Sequence, residues 1–333
     1  MNTGVKESFI SDLGGGAAVG PSTKKRLPAG ARIKSETMPP ETAIQPFKVL
    51  FDYAEPSPFD DPALSPYGNF GFPPAPASRP WIYSNFVQSL DGITSLLGEY
   101  ASGQYISQSR EDRWLMDLLR ANADGLIMGM GTLSEERQLR GPQSRGIVFK
   151  VADPAMQALR KRLGKGRERN IFVSHAENLD LSQFKVFDGD LVDAAIVTSP
   201  AGSDRLRAQR IHPHIDIITA GQGETLDLPA AIVKLRHELG IEHLLCEGGP
   251  TLYGTLARAG LIDEKFLTVS PIEVGQLVPP EQPRLPAEQE SATLTRPTVF
   301  GGLGFTRDTL THWQWLSCRT SGDHQFNRYR RRH

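Results

Sequence analysis

Two adjacent glycines, Gly248 and Gly249, stand between an apolar run that predicts a strand and a helix opened by Pro250. Glycines let the backbone turn sharply and let a ligand come within contact distance. The free N–H groups at the start of the helix would point back at this turn, as in sites that bind phosphate or pyrophosphate. The same residues also suit an ordinary strand-to-helix turn, because they form neither a Walker loop nor a GxGxxG fingerprint. The pattern predicts a phosphate site or a plain turn.

Two further turns follow predicted strands. Gly129, Gly131 and Thr132 come after one apolar run, and Ser89-Leu90-Asp91-Gly92 follows another. Open α/β sheets gather ligands in a crevice at the carboxyl ends of their strands, where all three turns fall. Alternatively, Thr132 caps the next helix and Asp91-Gly92 forms a simple turn.

One motif suggests zinc chemistry. Ser174-His175-Ala176-Glu177 contains the H-x-E pattern of zinc deaminases, which complete their metal site with a downstream P-C-x-x-C. The two cysteines, Cys246 and Cys318, are too far apart to form that motif. No metal site is predicted.

Short apolar runs alternate with capped helices, which is typical of a layered α/β sheet. Ser109 and Asp153 are candidate N-caps, and Gly240 is a candidate helix end. Near the C-terminus, two strand-like runs flank residues 320–323 and predict an antiparallel hairpin added to the sheet. The other predicted strands of this domain span residues 81–87, 125–130, 146–151, 170–174, 194–199, 215–220, 243–247 and 265–270.

Three regions follow from composition. Residues 1–45 are rich in Gly, Pro, Ser, Thr and Lys without apolar periodicity, so a disordered tail is expected. Residues 46–80 are expected to form a Pro-rich leader packed on the domain, with one strand at 47–51. Residues 81–330 form the predicted mixed-sheet domain.

The overall composition limits the function classes. The chain has 333 residues, 39% of them hydrophobic, and a formal net charge of −1, so nothing indicates a nucleic-acid partner. No apolar run approaches the roughly 20 residues that cross a bilayer. The N-terminus lacks the apolar core of a signal peptide, and two cysteines make no disulfide framework. These features predict a soluble cytoplasmic protein without a membrane partner.

Three segments together resemble one family. NFVQSLDG (85–92), LLRANADGLIMGMGTL (118–133) and LLCEGGPTLYGTLARAGLIDEKFLTVSPIEVG (244–275) are similar, in this order, to the reductase domain of the bifunctional deaminase/reductase of riboflavin biosynthesis. The resemblance spans residues 79–330, and the preceding leader resembles that of stand-alone members. It implies a dihydrofolate-reductase-like fold, a three-layer α/β/α sandwich with a mixed central sheet and a C-terminal antiparallel hairpin.

The resemblance also implies an activity. Members reduce a ribosylamino-pyrimidine phosphate to the ribitylamino form with NADPH, as 5-amino-6-(5-phosphoribosylamino)uracil reductases do, and the family suggests a homodimer. Hydride would pass from the nicotinamide to the sugar C1 of an open-chain imine. Hydroxyls at Ser174 and Thr198-Ser199 would favour NADPH over NADH by binding its 2′-phosphate.

Positions that match the family motifs imply the site residues. Arg120 and Glu247 would face the substrate, with Arg140 also contacting it, and Glu247 and Asp91 are the candidate catalytic residues. Alternatively, Arg120 is a surface helix arginine and Glu247 a strand-end carboxylate. The expected NADPH contacts are Val87, Ser89, Tyr105, Gly129, Thr132, Glu136, Ser174, Gly248, Gly249, Pro250, Thr251 and Leu252.

The sequence departs from the family at one substrate-binding position. After the cofactor threonine the fused enzymes read D-D-P-x-L-T-x-R, whose last arginine helps to bind the substrate phosphate. Gln143 occupies that position here, with Arg137, Arg140 and Arg145 nearby as possible substitutes. Other possibilities are a reductase of a pterin, dihydrofolate or another small imine or carbonyl, and a non-catalytic NADPH-binding regulator.

Overall fold

Ten of the twelve strands in the described chain form one sheet, and the other two pair separately. The computed structural model describes residues 44–96, 103–141, 143–209, 212–275, 298–302 and 304–332. The predicted tail lies outside these residues except for Ile44 and Gln45. The strands are β1 (Lys48–Asp52), β2 (Trp81–Gln88), β3 (Gly125–Gly129), β4 (Arg169–Val173), β5 (Asp193–Thr198), β6 (Ile215–Thr219), β7 (Gly221–Gln222), β8 (Thr225–Leu226), β9 (His243–Cys246), β10 (Glu264–Val269), β11 (Trp313–Ser321) and β12 (His324–Arg331).

The sheet is mixed, in the order β1-β11-β12-β10-β2-β9-β3-β4-β5-β6. The seven strands from β10 to β6 run parallel. The C-terminal hairpin β11–β12 joins β10 antiparallel, and β1 pairs antiparallel with β11 at the edge. The short strands β7 and β8 form a separate hairpin. The predicted mixed sheet with a C-terminal hairpin is confirmed.

Helices cover both faces of the sheet. They are α1 (Gly103–Ser107), α2 (Arg110–Asn122), α3 (Met130–Leu139), α4 (Pro154–Arg162), α5 (Pro200–Ala208), α6 (Leu228–Leu239) and α7 (Pro250–Arg258). Successive strand residues enter opposite cores, as the two-residue period of a strand requires: Tyr83 packs with α2 and α4, whereas Ile82 packs with α6 and α7. The expected three-layer α/β/α sandwich is therefore present. No helix of the described residues is long and apolar enough to cross a membrane.

The helix ends follow the predicted local chemistry. The side chain of Ser109 accepts a hydrogen bond from the Asp112 amide, and the Asp153 side chain accepts from Ala155. Gly240 ends α6 with φ +67°, a conformation that glycine adopts without strain.

The strand predicted at 146–151 is wrong. These residues are irregular, because side chains rather than a neighbouring strand satisfy their backbone. The buried Asn170 on β4 accepts from the Phe149 amide at 3.1 Å and donates to the Phe149 carbonyl at 2.7 Å. The Glu168 carboxylate accepts from the Val151 amide at 2.7 Å.

Residues 46–73 lie against the C-terminal hairpin. The Phe47 ring meets the Phe326 ring edge-on, with centroids 4.8 Å apart. The buried guanidinium of Arg319 on β11 donates to the Tyr67 carbonyl at 2.9 Å, and that of Arg328 on β12 donates to the Gly71 carbonyl at 2.7 Å. Main-chain oxygens of this segment thus satisfy buried arginines.

A buried ion network joins the hairpin to β10. Glu264 is fully buried and accepts from Arg328 and from Arg330, each at 2.6 Å. The Arg328 guanidinium also lies among aromatic rings, 4.8 Å from the Phe72 centroid. Arg330 extends the network to Glu55 at 2.7 Å. All these charges have partners, as buried charges require.

We expect Glu264→Gln to lower the free energy of unfolding by about 3 kcal/mol, because removing one partner leaves buried arginines uncompensated. Thermal unfolding would show a midpoint lower by several degrees. Glu238→Gln is the matched control, since its pair with Lys234 is exposed. Equal midpoints for the two variants would contradict a central role for Glu264.

Candidate functional site

The carboxyl ends of six adjacent parallel strands form the candidate site. In spatial order these strands are β10, β2, β9, β3, β4 and β5. Backbone hydrogen bonds tie the loops together: Leu90 after β2 donates to the Ile272 carbonyl after β10 at 2.8 Å, and Gly129 donates to the Gly248 carbonyl at 3.1 Å. The three turns singled out in the sequence therefore meet at one edge of the sheet.

The glycine turn after β9 is shaped for close approach. Gly248 has φ +101°, which L side chains rarely adopt, whereas Gly249 has an ordinary φ of −71°. A Cβ at Gly249 would lie 3.5 Å from the Thr132 hydroxyl, an ordinary contact. The conformational need for glycine thus lies at Gly248, whereas a side chain at Gly249 would lie against Thr132 of α3. The peptide bond between the two glycines is cis.

The start of α7 is only partly open. Pro250 and Thr251 are exposed, but the Leu252 side chain packs in the core. The Gly301 amide donates to the Pro250 carbonyl at 2.9 Å, and a Cβ on Gly254 would lie only 2.1 Å from the Gly301 carbonyl oxygen. The segment around Gly301, distant in sequence, therefore covers one side of the first turn of α7. A ligand could contact the backbone of this turn, but not the Leu252 side chain.

Thr132 does not cap a helix. α3 begins after Gly129, which makes no side-chain capping bond, so Thr132 lies within the first turn. Side chains built on Gly129 or Gly131 would meet nothing within 4 Å. Burial raises the pKa of Glu136, one turn further, against the opposing charges of Arg140, Arg120 and Arg113. The first turn of α3 thus presents open backbone and one hydroxyl towards the glycine turn.

Arg120 and Glu247 are each other's main partners. The guanidinium donates to both carboxylate oxygens, at 2.7 and 2.6 Å, and both side chains are about 10% exposed. Burial tends to lower the pKa of Arg120, but the charge and hydrogen bond of Glu247, together with the charges of Asp117 and Glu168, raise it overall. Arg120 also donates to the Lys150 carbonyl at 3.3 Å. The guanidinium therefore orients Glu247 at the strand end.

Asp91 joins two loops. Its carboxylate accepts from the Ser89 hydroxyl at 2.5 Å and from the Val274 and Gly275 amides at 3.2 and 2.7 Å. These hydrogen bonds, that of Ser89 foremost, lower the pKa of Asp91 to about 2. The group is therefore ionised at neutral pH and holds the β10 exit loop against the β2 exit loop. Ser89 itself is fully buried.

Val87 and Tyr105 are two further residues that the resemblance predicts to line the nicotinamide. Val87 lies near the end of β2, in register with Thr268 of β10. Tyr105 lies on α1 and is 43% exposed.

The hydroxyls predicted to bind a 2′-phosphate differ in accessibility. Thr198 and Ser199 are fully buried, and Ser199 caps α5 by accepting from Gly202. Ser174 is half-buried and accepts from the Ala176 amide at 3.0 Å. Arg205, which the sequence analysis did not single out, lies close by: its guanidinium donates to the His175 carbonyl at 3.0 Å and pairs with Glu224. Its position six residues beyond the α5 cap was the available signal.

Of the three arginines near Gln143, two are engaged. Arg145 pairs with Asp188 at 2.6 Å, and Arg137 donates to the Ser144 carbonyl at 3.1 Å. Arg140, at the end of α3, makes no side-chain hydrogen bond or ion pair within the described chain. Its guanidinium is the one left for an external anion. Within the described ranges, no three His, Cys, Asp or Glu side chains cluster as a metal site.

A parallel α/β sheet with a glycine turn and convergent polar groups at its carboxyl edge defines the class of crevice-type ligand-binding α/β proteins. A family model described as the RibD C-terminal domain matches residues 80–323, and the chain belongs to this family. The membership expected from the three sequence segments is confirmed.

Curated relatives carry a specific name. The chain is 26% identical over 201 residues to the 2,5-diamino-6-ribosylamino-4(3H)-pyrimidinone 5′-phosphate reductase of Archaeoglobus fulgidus, covering 59% of this chain and 83% of that protein. It is 24% identical over 197 residues to the Methanothermobacter thermautotrophicus protein of the same name, covering 59% and 80% respectively.

Solved structures share the fold. A pyrimidine reductase-like protein from Corynebacterium diphtheriae aligns with TM-score 0.55 and 21% identity over 76% of this chain and 92% of that chain. Acinetobacter baumannii RibD aligns with TM-score 0.51 and 16% identity, over 77% of this chain and 59% of that longer chain.

We expect Glu247→Gln to destabilise the protein as well as change any activity. Losing the charge leaves the buried Arg120 without its ionic partner, which costs about 3 kcal/mol. Chemical denaturation measures this loss. The matched control is Glu242→Gln, whose carboxylate pairs with Arg236 at the surface. A variant as stable as the control would show that Arg120 does not depend on Glu247.

Proposed function

We propose that the protein is an NADPH-dependent reductase that converts a ribosylamino-pyrimidine phosphate to its ribitylamino form. The Gly248–Gly249 turn carries this proposal, because it brings main chain without a side chain next to the Thr132 hydroxyl at the carboxyl edge of the sheet. The family and the names of the curated relatives support the same reaction class.

The residues fit a dinucleotide cofactor. The open backbone at Gly129 and Gly131, together with the main chain of Gly249, would hold the pyrophosphate, and Thr132 would hydrogen-bond a phosphate or ribose oxygen. Bound NADPH would supply hydride to the sugar C1 of an imine. Val87, Ser89 and Tyr105 would line the nicotinamide, and Ser174 and Glu136 would contact the adenosine side and ribose.

The substrate side contains opposite charges. Arg140, exposed and unengaged within the described chain, would bind the substrate phosphate in place of the usual arginine at position 143. Glu247, oriented by Arg120, would accept hydrogen bonds from the pyrimidine. Together these groups would orient the reactants, which supplies much of the rate enhancement of a two-substrate reaction.

Asp91 has a positioning role in this proposal. Its pKa of about 2 means that it holds no proton to donate at neutral pH. Its hydrogen bonds fix both loops around the reacting atoms, and its negative charge would favour a protonated iminium in the cleft. The proposal further includes a homodimer working in the cytoplasm on a small molecule.

Gly249→Val tests the cofactor site. The side chain would fill the space proposed for pyrophosphate without straining the backbone, so NADPH affinity should fall at least about tenfold. Calorimetry measures the dissociation constant of NADPH. The absorbance of the nicotinamide measures NADPH oxidation with the pyrimidine, dihydrofolate or a dihydropterin as the substrate. Gly166→Val is the control, because a side chain there would meet nothing within 4 Å and the residue precedes the amino end of β4, away from the carboxyl edge. Unchanged NADPH binding in a folded Gly249→Val protein would refute the turn as the cofactor site.

Arg205→Gln tests the choice between NADPH and NADH. We expect weaker NADPH binding with unchanged NADH binding, because the Arg205 guanidinium, which contacts the His175 carbonyl and pairs with Glu224, would also bind a 2′-phosphate beside Ser174. Arg207→Gln, on the same helix and exposed, controls for charge. Equal loss for both cofactors would instead indicate damage to the loop, and equal affinities in the parent protein would refute the NADPH preference.

A further inference from the structure

A glycine stands in the middle of α7, where glycine is unfavourable. In a helix interior glycine is less stable than alanine, because it loses more conformational freedom on folding. Gly254 is nevertheless the fifth of the nine residues of α7. A Cβ at Gly254 would lie 2.1 Å from the carbonyl oxygen of Gly301, a distance that real side chains do not show. The helix therefore carries glycine where another segment of the chain comes into contact.

That segment, residues 298–302, is called the strap below. Its Gly301 amide donates to the Pro250 carbonyl at 2.9 Å. A Cβ at Gly301 would lie 2.8 Å from the Thr251 amide nitrogen, so the strap also needs glycine at this contact. The side chain of Val299 is buried in the same core as α7. The strap and the first turn of α7 thus meet through main chain, with no room for a side chain between them.

Side chains of α7 hold the strap in place. The Arg258 guanidinium donates to the Gly301 carbonyl at 3.2 Å and lies 5.5 Å from the centroid of the Phe300 ring. The same guanidinium donates to the Thr255 hydroxyl at 3.2 Å. The Phe300 ring in turn meets the Tyr253 ring edge-on, with centroids 6.2 Å apart. Hydrogen bonds and ring contacts therefore both fix the strap against the helix.

Packing continues from the strap to the glycine turn after β9. Tyr253 is buried and meets the Phe86 ring of β2 edge-on, with centroids 5.0 Å apart. A Cβ at Gly248 would lie 3.4 Å from the same Phe86 ring. The turn is thus in contact with Phe86, and the helix that follows the turn is in contact with the strap. Because close-packed interiors transmit strain, a displaced strap would also displace the main chain proposed to hold the cofactor.

We propose that the strap positions the start of α7 for the cofactor, with Gly254 and Gly301 as the positioning residues. This inference rests on the proposed reductase function, in which the main chain of this turn holds the pyrophosphate. The two glycines act through the helix and do not touch the cofactor. They set the distance between the strap and α7, so the first turn is already in place when NADPH arrives. A preorganised site binds more tightly, because less ordering is needed on binding.

Gly254→Ala tests this role. The added methyl group would push the strap and α7 apart, so the dissociation constant of NADPH should rise at least about tenfold, the scale of losing one hydrogen bond to a charged group. Calorimetry measures this constant. In turnover, the KM for NADPH should rise by the same factor, whereas kcat at saturating NADPH and the KM for the pyrimidine should keep the parent values.

Gly125→Ala is the matched control. Its Cβ would lie 2.8 Å from the Ile171 side chain, which also crowds the core, but at the amino end of β3. It should bind NADPH like the parent, and chemical denaturation of both variants separates lost stability from lost binding. Arg258→Gln is a second variant that adds no volume. It removes the guanidinium from the Gly301 carbonyl and the Phe300 ring, so it should also raise the KM for NADPH alone.

The outcomes separate the strap from the reductase function. Parent-like NADPH binding by a folded Gly254→Ala protein would overturn the role of the strap and leave the reductase function intact. A rise in KM for both substrates, or an equal loss of affinity in Gly125→Ala, would indicate general damage and overturn it as well. If Gly254→Ala does not fold, Arg258→Gln decides by the same criteria. If the parent binds NADPH but reduces no pyrimidine, calorimetry alone decides. A parent protein that does not bind NADPH would end both proposals.

Discussion

A negative charge fully enclosed in the sheet, that of Glu264, constrains much of the molecule. Two arginines of β12 neutralise it, and one of them continues to Glu55. β10, which carries Glu264, is the strand on which the C-terminal hairpin pairs from one side and β2 from the other. The placement of β2 and β10, whose ends hold the candidate site, therefore depends on satisfying this charge.

The candidate site also contains a buried carboxylate that is neutralised by arginine. Arg120 and Glu247 form a second buried pair at the end of β9, so a carboxylate of the candidate site is held in place by a helix on one face of the sheet. Asp91 holds the loops by accepting main-chain hydrogen bonds instead. Fixed charges that need no rearrangement during reaction are what a preorganised site requires. Stability and orientation are thus supplied by the same side chains.

Local chemistry was predictable from the sequence, whereas partnership between distant residues was not. The caps at Ser109 and Asp153 depend on neighbours within three residues, and the sequence identified both. The Arg120–Glu247 pair joins positions separated by 127 residues, so the segments that contain them indicated roles but not contact. Residues 146–151 form no strand, because the Asn170 side chain hydrogen-bonds the main chain there. Gly248 rather than Gly249 takes the left-handed conformation. Both features depend on the tertiary structure and not on the local sequence.

The leader meets the two buried arginines through its main chain and its side chains together. Gly71 offers its carbonyl oxygen to Arg328, and a Cβ at this glycine would lie only 2.2 Å from the Pro56 carbonyl oxygen, so the position cannot carry a side chain. Asp52 pairs with Arg319 at 2.5 Å. The arginines are equally constrained, because no other side chain offers a permanent charge and a planar array of donors. Divergence at these contacts should therefore be restricted on both sides, and a change in one partner would require a compensating change in the other.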